Sequence, residues 1–292
     1  AYLPTVRAVR ARELSAEGRR LRNVVVGGSR EGRTWRANVD ADEMGDYIEY
    51  RQPQATGAGR VYARLARLAI ADADASQVEA LLDQQPGSIP ALDIVVEAFE
   101  LKGRPLGRLE IDAVNRGAGA VMREGGIREW RLNRLSLLTP DANFSASGNW
   151  AALQPAGGAR PVAERRRTAM RFRLDISDAG QLLGRLGMRD VVRRGRGTME
   201  GHVAWVGSPL ALDYPSMAGT FSVNLEAGQF LKADPGLAKL IGVLSLQSLP
   251  RRLALDFRDV FSEGFAFDFV RGDISIEQGI AASNNLQMKG VN

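Results

Sequence analysis

The sequence has no cysteine. Disulfides, thiolate nucleophiles, zinc ribbons and iron–sulfur clusters are therefore excluded. Histidine is nearly absent, His202 being the single one. One imidazole can serve a catalytic triad, but a two- or three-histidine metal site cannot be built within this chain. No uninterrupted run reaches the roughly 20 apolar residues that a membrane-spanning helix needs. A secretory leader pattern is also missing. Gly184, Gly187, Gly195 and Gly197 do not follow a strand of a βαβ unit, so they form no dinucleotide fingerprint, and no P-loop occurs. A Gly-x-Ser-x-Gly run, which would mark a hydrolase nucleophile, is absent too.

Lysine is scarce. Of 39 basic residues only Lys102, Lys232, Lys239 and Lys289 are lysines, and the rest are arginines. Against 34 acidic residues they give a net charge of +5. The arginines are dispersed, with short clusters at 165–167, 193–196 and 251–252. That dispersal argues against a nucleic-acid surface, whereas a basic balance suits anionic lipid headgroups.

What is present is an ordinary folded composition, 45% hydrophobic and 25% charged over 292 residues. This suffices for one large all-β domain or two smaller domains. The dominant signal is alternation with period two. It runs through Trp35, Ala37 and Val39; Leu92, Ile94 and Val96; Leu109, Ile111 and Ala113; and Phe144, Ala146, Gly148 and Trp150. It resumes at Phe172, Leu174 and Ile176; Val203 and Trp205; Phe221, Val223 and Leu225; Leu253, Leu255 and Phe257; Phe265, Phe267 and Phe269; and Ile274 and Ile276. Each run predicts a strand with one apolar and one polar face. More than ten such strands, separated by glycine-rich turns, call for an antiparallel meander.

Three helical patches interrupt the strands: 74–82, about 178–192, and 235–249. Asp74, Asp178 and Asp234 stand where an N-cap belongs, and Pro235 suits the first turn. Leu237, Leu240, Ile241 and Leu244 give the last helix an apolar stripe, which Pro250 ends. A weak repeat places an Asp after an alternating run at 40–42, 72–74 and 175–178. The Pro-, Gly- and Ala-rich stretch 154–164 reads as a loop or linker between segments 1–153 and 165–292. The chain opens at Ala1 and stops in what reads as a sheet, so the expectation is a piece of a longer protein.

Chemistry-bearing residues are few. His202 alternates with Val203 and so faces the polar side of its strand. Asp256, Asp259, Glu263, Asp268 and Asp273 are dense enough to raise glycoside hydrolysis, yet they mostly fill the polar half of alternating strands. The Asp-x-Asp pairs at 40–42 and 72–74 lack the glycine and terminal Glu of a calcium loop. No catalytic residue, metal or cofactor is assigned. Apolar surface is what remains. Three short helices cannot cover so many one-sided strands. The sheet can close on itself, pack as a sandwich, or curl into a trough that takes an apolar ligand.

The segment Gly228-Gln-Phe-Leu-Lys-Ala-Asp-Pro-Gly236, then Leu244-Ser-Leu-Gln-Ser-Leu-Pro-Arg-Arg-Leu253, then Leu255 to Phe267 and Asn284 to Val291, resembles the C-terminal region of long members of the AsmA-like family of Gram-negative bacteria. Leu174 to Leu183 and Gly201 to Gly207 are similar to strand–helix–strand elements of that family. The resemblance implies a mainly-β fold, a long antiparallel curled sheet forming an open apolar groove with a few short helices. It also implies the periplasmic portion of an inner-membrane-anchored protein, similar to eukaryotic bridge-like lipid-transfer proteins. Its ligand would be phospholipid, moved between inner and outer membranes to sustain the outer-membrane barrier. No protein partner and no catalytic residue are implied. On this reading the groove lining comprises Phe172, Leu174, Ile176, Phe221, Val223, Leu225, Leu253, Leu255, Phe257, Phe265, Phe267 and Phe269. The helix bearing Leu237, Leu240, Ile241 and Leu244 would cap the groove or touch a membrane. The alternative is an envelope scaffold that binds outer-membrane proteins and carries no lipid.

Overall fold

A computed structural model describes residues 6–16, 19–53, 58–71, 89–116, 129–152, 166–209, 212–231 and 264–291. Among these residues fifteen strands form one sheet. Hydrogen-bonded neighbours follow chain order from the first strand to the fourteenth, and the fifteenth adds to the thirteenth. The first and fourteenth strands are not neighbours, so the sheet is open and not a closed barrel. The mainly-β expectation holds. The chain divides into two compact units, one built chiefly from residues 1–138 and the other chiefly from 169–206 and 212–292. The expected linker at 154–164 lies outside the described residues.

Unit 1 holds β1 (Val6–Ala16), β2 (Arg19–Glu31), β3 (Thr34–Asp40), β4 (Met44–Arg51), β5 (Arg60–Ile70), β6 (Ala91–Leu101), β7 (Arg104–Arg116) and β8 (Glu129–Leu138). Alternation becomes rungs across the sheet, because directly opposed residues point to the same side. One rung runs Gly28, Ala37, Ile48, Ala63, Ile94, Ile111 and Leu135 from β2 to β8. The next runs Leu65, Val96, Leu109 and Leu137. Their members form the principal core, in which Val96 is 0% exposed. Met44 and Ile48 also pack against the neighbouring cluster of Val24, Val39 and Ala41, so the apolar face is continuous from β2 to β8.

Turn chemistry sets the directions. Lys102 and Gly103, at φ 54° and 70°, make the two-residue turn between β6 and β7, the primed geometry that matches strand twist. β5 and β6 depart from the antiparallel expectation and run parallel. Parallel neighbours need a crossover of a dozen or more residues, and residues 71–90 between them are long enough.

The polar face of unit 1 is laced by charge. Arg36 meets Glu49 at 3.2 Å, Arg64 meets Asp93 at 2.7 Å, Arg108 meets Glu110 at 2.9 Å, and Arg134 meets Glu110 at 3.1 Å. Exposed pairs of this kind each contribute at most about 1 kcal/mol. Their value lies in register, since a one-residue slip would place arginine on the apolar face.

Unit 2 takes the start of β9 (Ala142–Ala152) and most of β10 (Arg166–Ile176). It continues with α1 (Ala179–Arg185), β11 (Val192–Val206), a 3-10 turn (Tyr214–Ser216), β12 (Ala218–Phe230), β13 (Phe265–Glu277), β14 (Ile280–Ala282) and β15 (Gln287–Gly290). Asp178 caps α1, its Oδ1 accepting from the Gln181 N–H at 2.9 Å. The helix is shorter than the expected 178–192. Gly187 takes φ 89°, its N–H reaches the Gly184 carbonyl, and the Met188 N–H reaches that of Leu183. That is a Schellman termination. Leu186 becomes the C-cap, and β11 begins at Val192, directly after Val191. The expected helices at 74–82 and 235–249 lie outside the described residues.

Candidate functional site

Of the described residues that sequence reasoning singled out as lining, all but one converge on one face of unit 2. Four rungs cross β11, β12 and β13: Val203, Gly219 and Ile276; Gly201, Phe221 and Ile274; Met199, Val223 and Gly272; and Gly197, Leu225 and Val270. Each contains one glycine. The rungs between them carry the polar set, such as Thr198, Asn224 and Arg271, or His202, Thr220 and Ser275. His202 is exposed there, its Nδ1 3.4 Å from the Thr220 hydroxyl.

The glycines are dictated by close approach. A Cβ on Gly201 would lie 2.2 Å from the Thr220 carbonyl oxygen and 2.4 Å from the Phe221 Cβ. With no side chain there, the rings of Phe172 on β10 and Phe221 on β12 meet across β11 with centroids 6.3 Å apart. Phe144 extends the row, stacked on Phe172 at 6.4 Å. All three rings are half-buried. They contribute large apolar area in the geometries that aromatic quadrupoles favour.

α1 covers one part of this face. Ala179 and Leu182 pack on Ala142 and Ile176, with Leu174, Val192 and Leu225 around them. Arg185 holds Asp141 in a two-donor grip at 2.7 and 2.8 Å, both side chains largely shielded. This fixes the helix over the β9 turn and leaves the Phe144–Phe172–Phe221 row beside it.

One expected lining residue departs. Phe267 opposes Gly290 and Val270 opposes Met288, yet Phe269 opposes Lys289, so β13 carries one extra residue between 267 and 269. Since Met288 and Gly290 share a face, Phe265, Phe267 and Val270 share it as well. Phe269 is turned to the opposite side, opposite Glu226 and beneath the Arg271 guanidinium at 4.4 Å. A bulge shifts side-chain parity by one, which simple alternation cannot register. Phe267 itself is 1% exposed, with its ring over Gly228 and against Phe230 at 5.0 Å. Leu253, Leu255, Phe257, Leu237, Leu240, Ile241 and Leu244 lie outside the described residues.

Sequence reasoning had Phe144 in view only as a strand residue, and Phe230 and Gly201 only within stretches that resemble the family. The alternation was visible, but the cross-strand partner that makes a glycine necessary was not.

The opposite face has ordinary charge chemistry. Arg173 bonds Asp175 and reaches Glu200 at 2.6 Å, and these raise its pKa, the Asp175 hydrogen bond most. Asp268 pairs with Lys289 at 2.9 Å and Asp273 accepts from Asn285 at 2.7 Å. The two carboxylates are thus engaged separately and converge on no pocket. Asp256, Asp259 and Glu263 lie outside the described residues. Among the described residues no group of three or more His, Asp or Glu could hold a metal ion. No helix among them is long and apolar enough to cross a membrane.

Comparison with known proteins adds to this geometry. A curated relative, the intermembrane phospholipid transporter YhdP of Escherichia coli K12, is 28% identical over 106 residues, which is 36% of this chain and 8% of the relative. The match therefore spans a small part of that protein. No solved structure matches the chain. The YhdP protein family model matches residues 2–292, almost the whole sequence, and the chain belongs to that family.

Proposed function

We propose that this chain is a segment of a periplasmic conduit, anchored at the inner membrane, that shields phospholipid acyl chains on their way between inner and outer membranes. The observation that carries the reading is the half-buried row of Phe144, Phe172 and Phe221 on a face whose rungs are otherwise apolar. Family membership and the name of the transporter relative support the same ligand class. The described lining comprises Phe172, Leu174, Ile176, Phe221, Val223, Leu225, Phe265 and Phe267.

The physical case is one of barrier lowering. Moving a two-chain lipid through water exposes on the order of 30 methylenes at about 0.8 kcal/mol each, an upper bound near ~24 kcal/mol. A continuous apolar face removes most of that cost. Apolar contacts are non-directional, so acyl-chain selectivity is loose. No covalent bond need form or break, so the role is transport without catalysis.

Photocrosslinking tests it. A benzophenone side chain at Phe172 or Phe221 is expected to capture phospholipid in cells, and one at Asn224 or His202 on the opposite face is not. Equal labelling of both faces would overturn the proposal.

A further inference from the structure

The apolar face of unit 1 differs from one end of its strands to the other. Beside the rung from Gly28 to Leu135 lies a further one, in which Arg30 opposes Trp35, Trp35 opposes Tyr50, and Tyr50 opposes Val61. Arg30, Trp35 and Tyr50 stand two residues from Gly28, Ala37 and Ile48 on their strands, so they share the apolar side. Arg30 and Trp35 are half-buried, and Tyr50 is 36% exposed. The Arg30 guanidinium stands over the Trp35 ring at 5.0 Å, and its Nε donates to the Gly32 carbonyl at 3.0 Å. The nearby carboxylates of Glu31 and Glu49 belong to the opposite face, where Arg36 engages them at 2.9 and 3.2 Å. The other end of the apolar face is hydrocarbon: Met44 opposes Leu68, Leu68 opposes Phe99, and Ile70 opposes Leu101.

A gradient of this form fits an amphiphile laid along the strands. Trp and Tyr join an apolar body to a hydrogen-bond donor and suit the boundary between hydrocarbon and polar groups. A guanidinium matches phosphate oxygens with paired donors. Tyr50 and Met44 are six residues apart on β4, roughly 20 Å at about 3.3 Å per residue. One leaflet of a bilayer is about 15 Å of hydrocarbon, half of the roughly 30 Å core, so the face is long enough for an acyl chain. Between the two ends Ile48, Val61, Leu92 and Ile94 are half-buried.

We infer that unit 1 seats a phospholipid in one orientation, with its phosphate at Arg30, Trp35 and Tyr50 and its acyl chains running along the strands toward Met44 and Leu68, an assignment that rests on the conduit reading. It adds a headgroup site, and a direction of seating, to a lining whose apolar contacts alone supply neither.

The test uses the full chain and two photoreactive phosphatidylglycerols, one with a diazirine on the headgroup and one with a diazirine at the end of an acyl chain. Labelled residues are located by mass spectrometry. The headgroup probe is expected to label the chain around Arg30, Trp35 and Tyr50, and the acyl probe around Met44 and Leu68. The same pattern from both probes, or the reverse pattern, overturns the assignment. Arg30→Gln is then compared with Arg10→Gln, which removes the same charge from an exposed position on β1 opposite Val25. Arg30→Gln should lose about tenfold in affinity for dihexanoyl phosphatidylglycerol and hold the phosphate-free dihexanoylglycerol within about twofold. Arg10→Gln should leave both within about twofold. Arg30→Lys should bind phosphatidylglycerol more tightly than Arg30→Gln, a rescue that structural damage would not give. No loss in Arg30→Gln, equal loss in Arg10→Gln, or displacement of the lipid by an equal concentration of inorganic phosphate also overturns the assignment. Labelling of the unit 2 face without labelling of unit 1 overturns it and leaves the conduit reading standing. Labelling of neither apolar face overturns both.

Discussion

The two units build their apolar faces from different materials. In unit 1 a rung of seven opposed residues from Gly28 to Leu135 has side chains at every strand but the first, and all are aliphatic. In unit 2 each of four successive rungs across β11–β13 contains a glycine, and phenylalanine rings span the space. A filled aliphatic rung maximises burial per strand. A glycine-interrupted rung brings backbone close and lets large rings lie across a strand, at the cost of backbone entropy. The polar faces differ in parallel. Unit 1 zips arginine to carboxylate across many strands, whereas unit 2 leaves its densest arginine run without described partners.

The sharpest way to break this contrast is to fill a glycine in each unit. Gly201→Val should destabilise by about 3 kcal/mol, because the Cβ meets backbone and the Phe221 Cβ in a well-packed face. Gly27 has nothing within 4 Å of its added Cβ, so Gly27→Ala should be neutral or raise stability by up to about 1 kcal/mol. Thermal melts of the two variants read the difference, and equal losses would dissolve the distinction between the units.

A second comparison concerns depth. Val96→Ala removes a side chain that is 0% exposed and should cost about 2 kcal/mol in chemical denaturation. It should leave lipid capture at Phe172 and Phe221 unchanged. Phe172→Ala should lower lipid capture at Phe221 while the fold persists, since that ring is only half-buried.

Smaller effects separate helix from sheet. Asp178→Ala removes the cap of α1 and should cost about 1 kcal/mol, with hydrogen exchange rising over Gln181–Leu183. The smallest effect is on the polar face of unit 1. Burial tends to raise the pKa of the Glu43 carboxyl, but hydrogen bonds from the Arg22 side chain and backbone outweigh it and the net shift is downward. A carboxylate with a lowered folded pKa contributes stability above its unfolded value. That contribution is lost as pH falls through the lowered value. Arg22→Ala should therefore lower stability slightly near neutrality and leave it almost unchanged at a pH below the lowered Glu43 value. A change as large in acid as near neutrality would sink this account.

Much of the fold was legible because alternation is local. Ala37 and Val39, Ile94 and Val96, or Phe221 and Leu225 announce both their strand and their face without reference to any partner. The Asp178 cap was equally readable. The end of α1 was not, since Leu186 and Val191 continue a helical pattern that the left-handed Gly187 interrupts. Phe269 looked like its neighbours Phe265 and Phe267 until the bulge against β15 turned it away. The parallel pairing of β5 with β6 depends on where a long connection returns, and no residue within either strand encodes it.

The sequence by itself determined that this protein is a chain of one-sided strands with no thiol and no second histidine. Those properties follow from composition and a period of two, which each segment carries alone. Tertiary structure alone decided which residues oppose one another. Register places Gly228 beneath the Phe267 ring and sets Phe172 against Phe221 across an intervening strand. Such juxtapositions depend on residues far apart in sequence meeting at one rung, and only the folded sheet specifies that meeting.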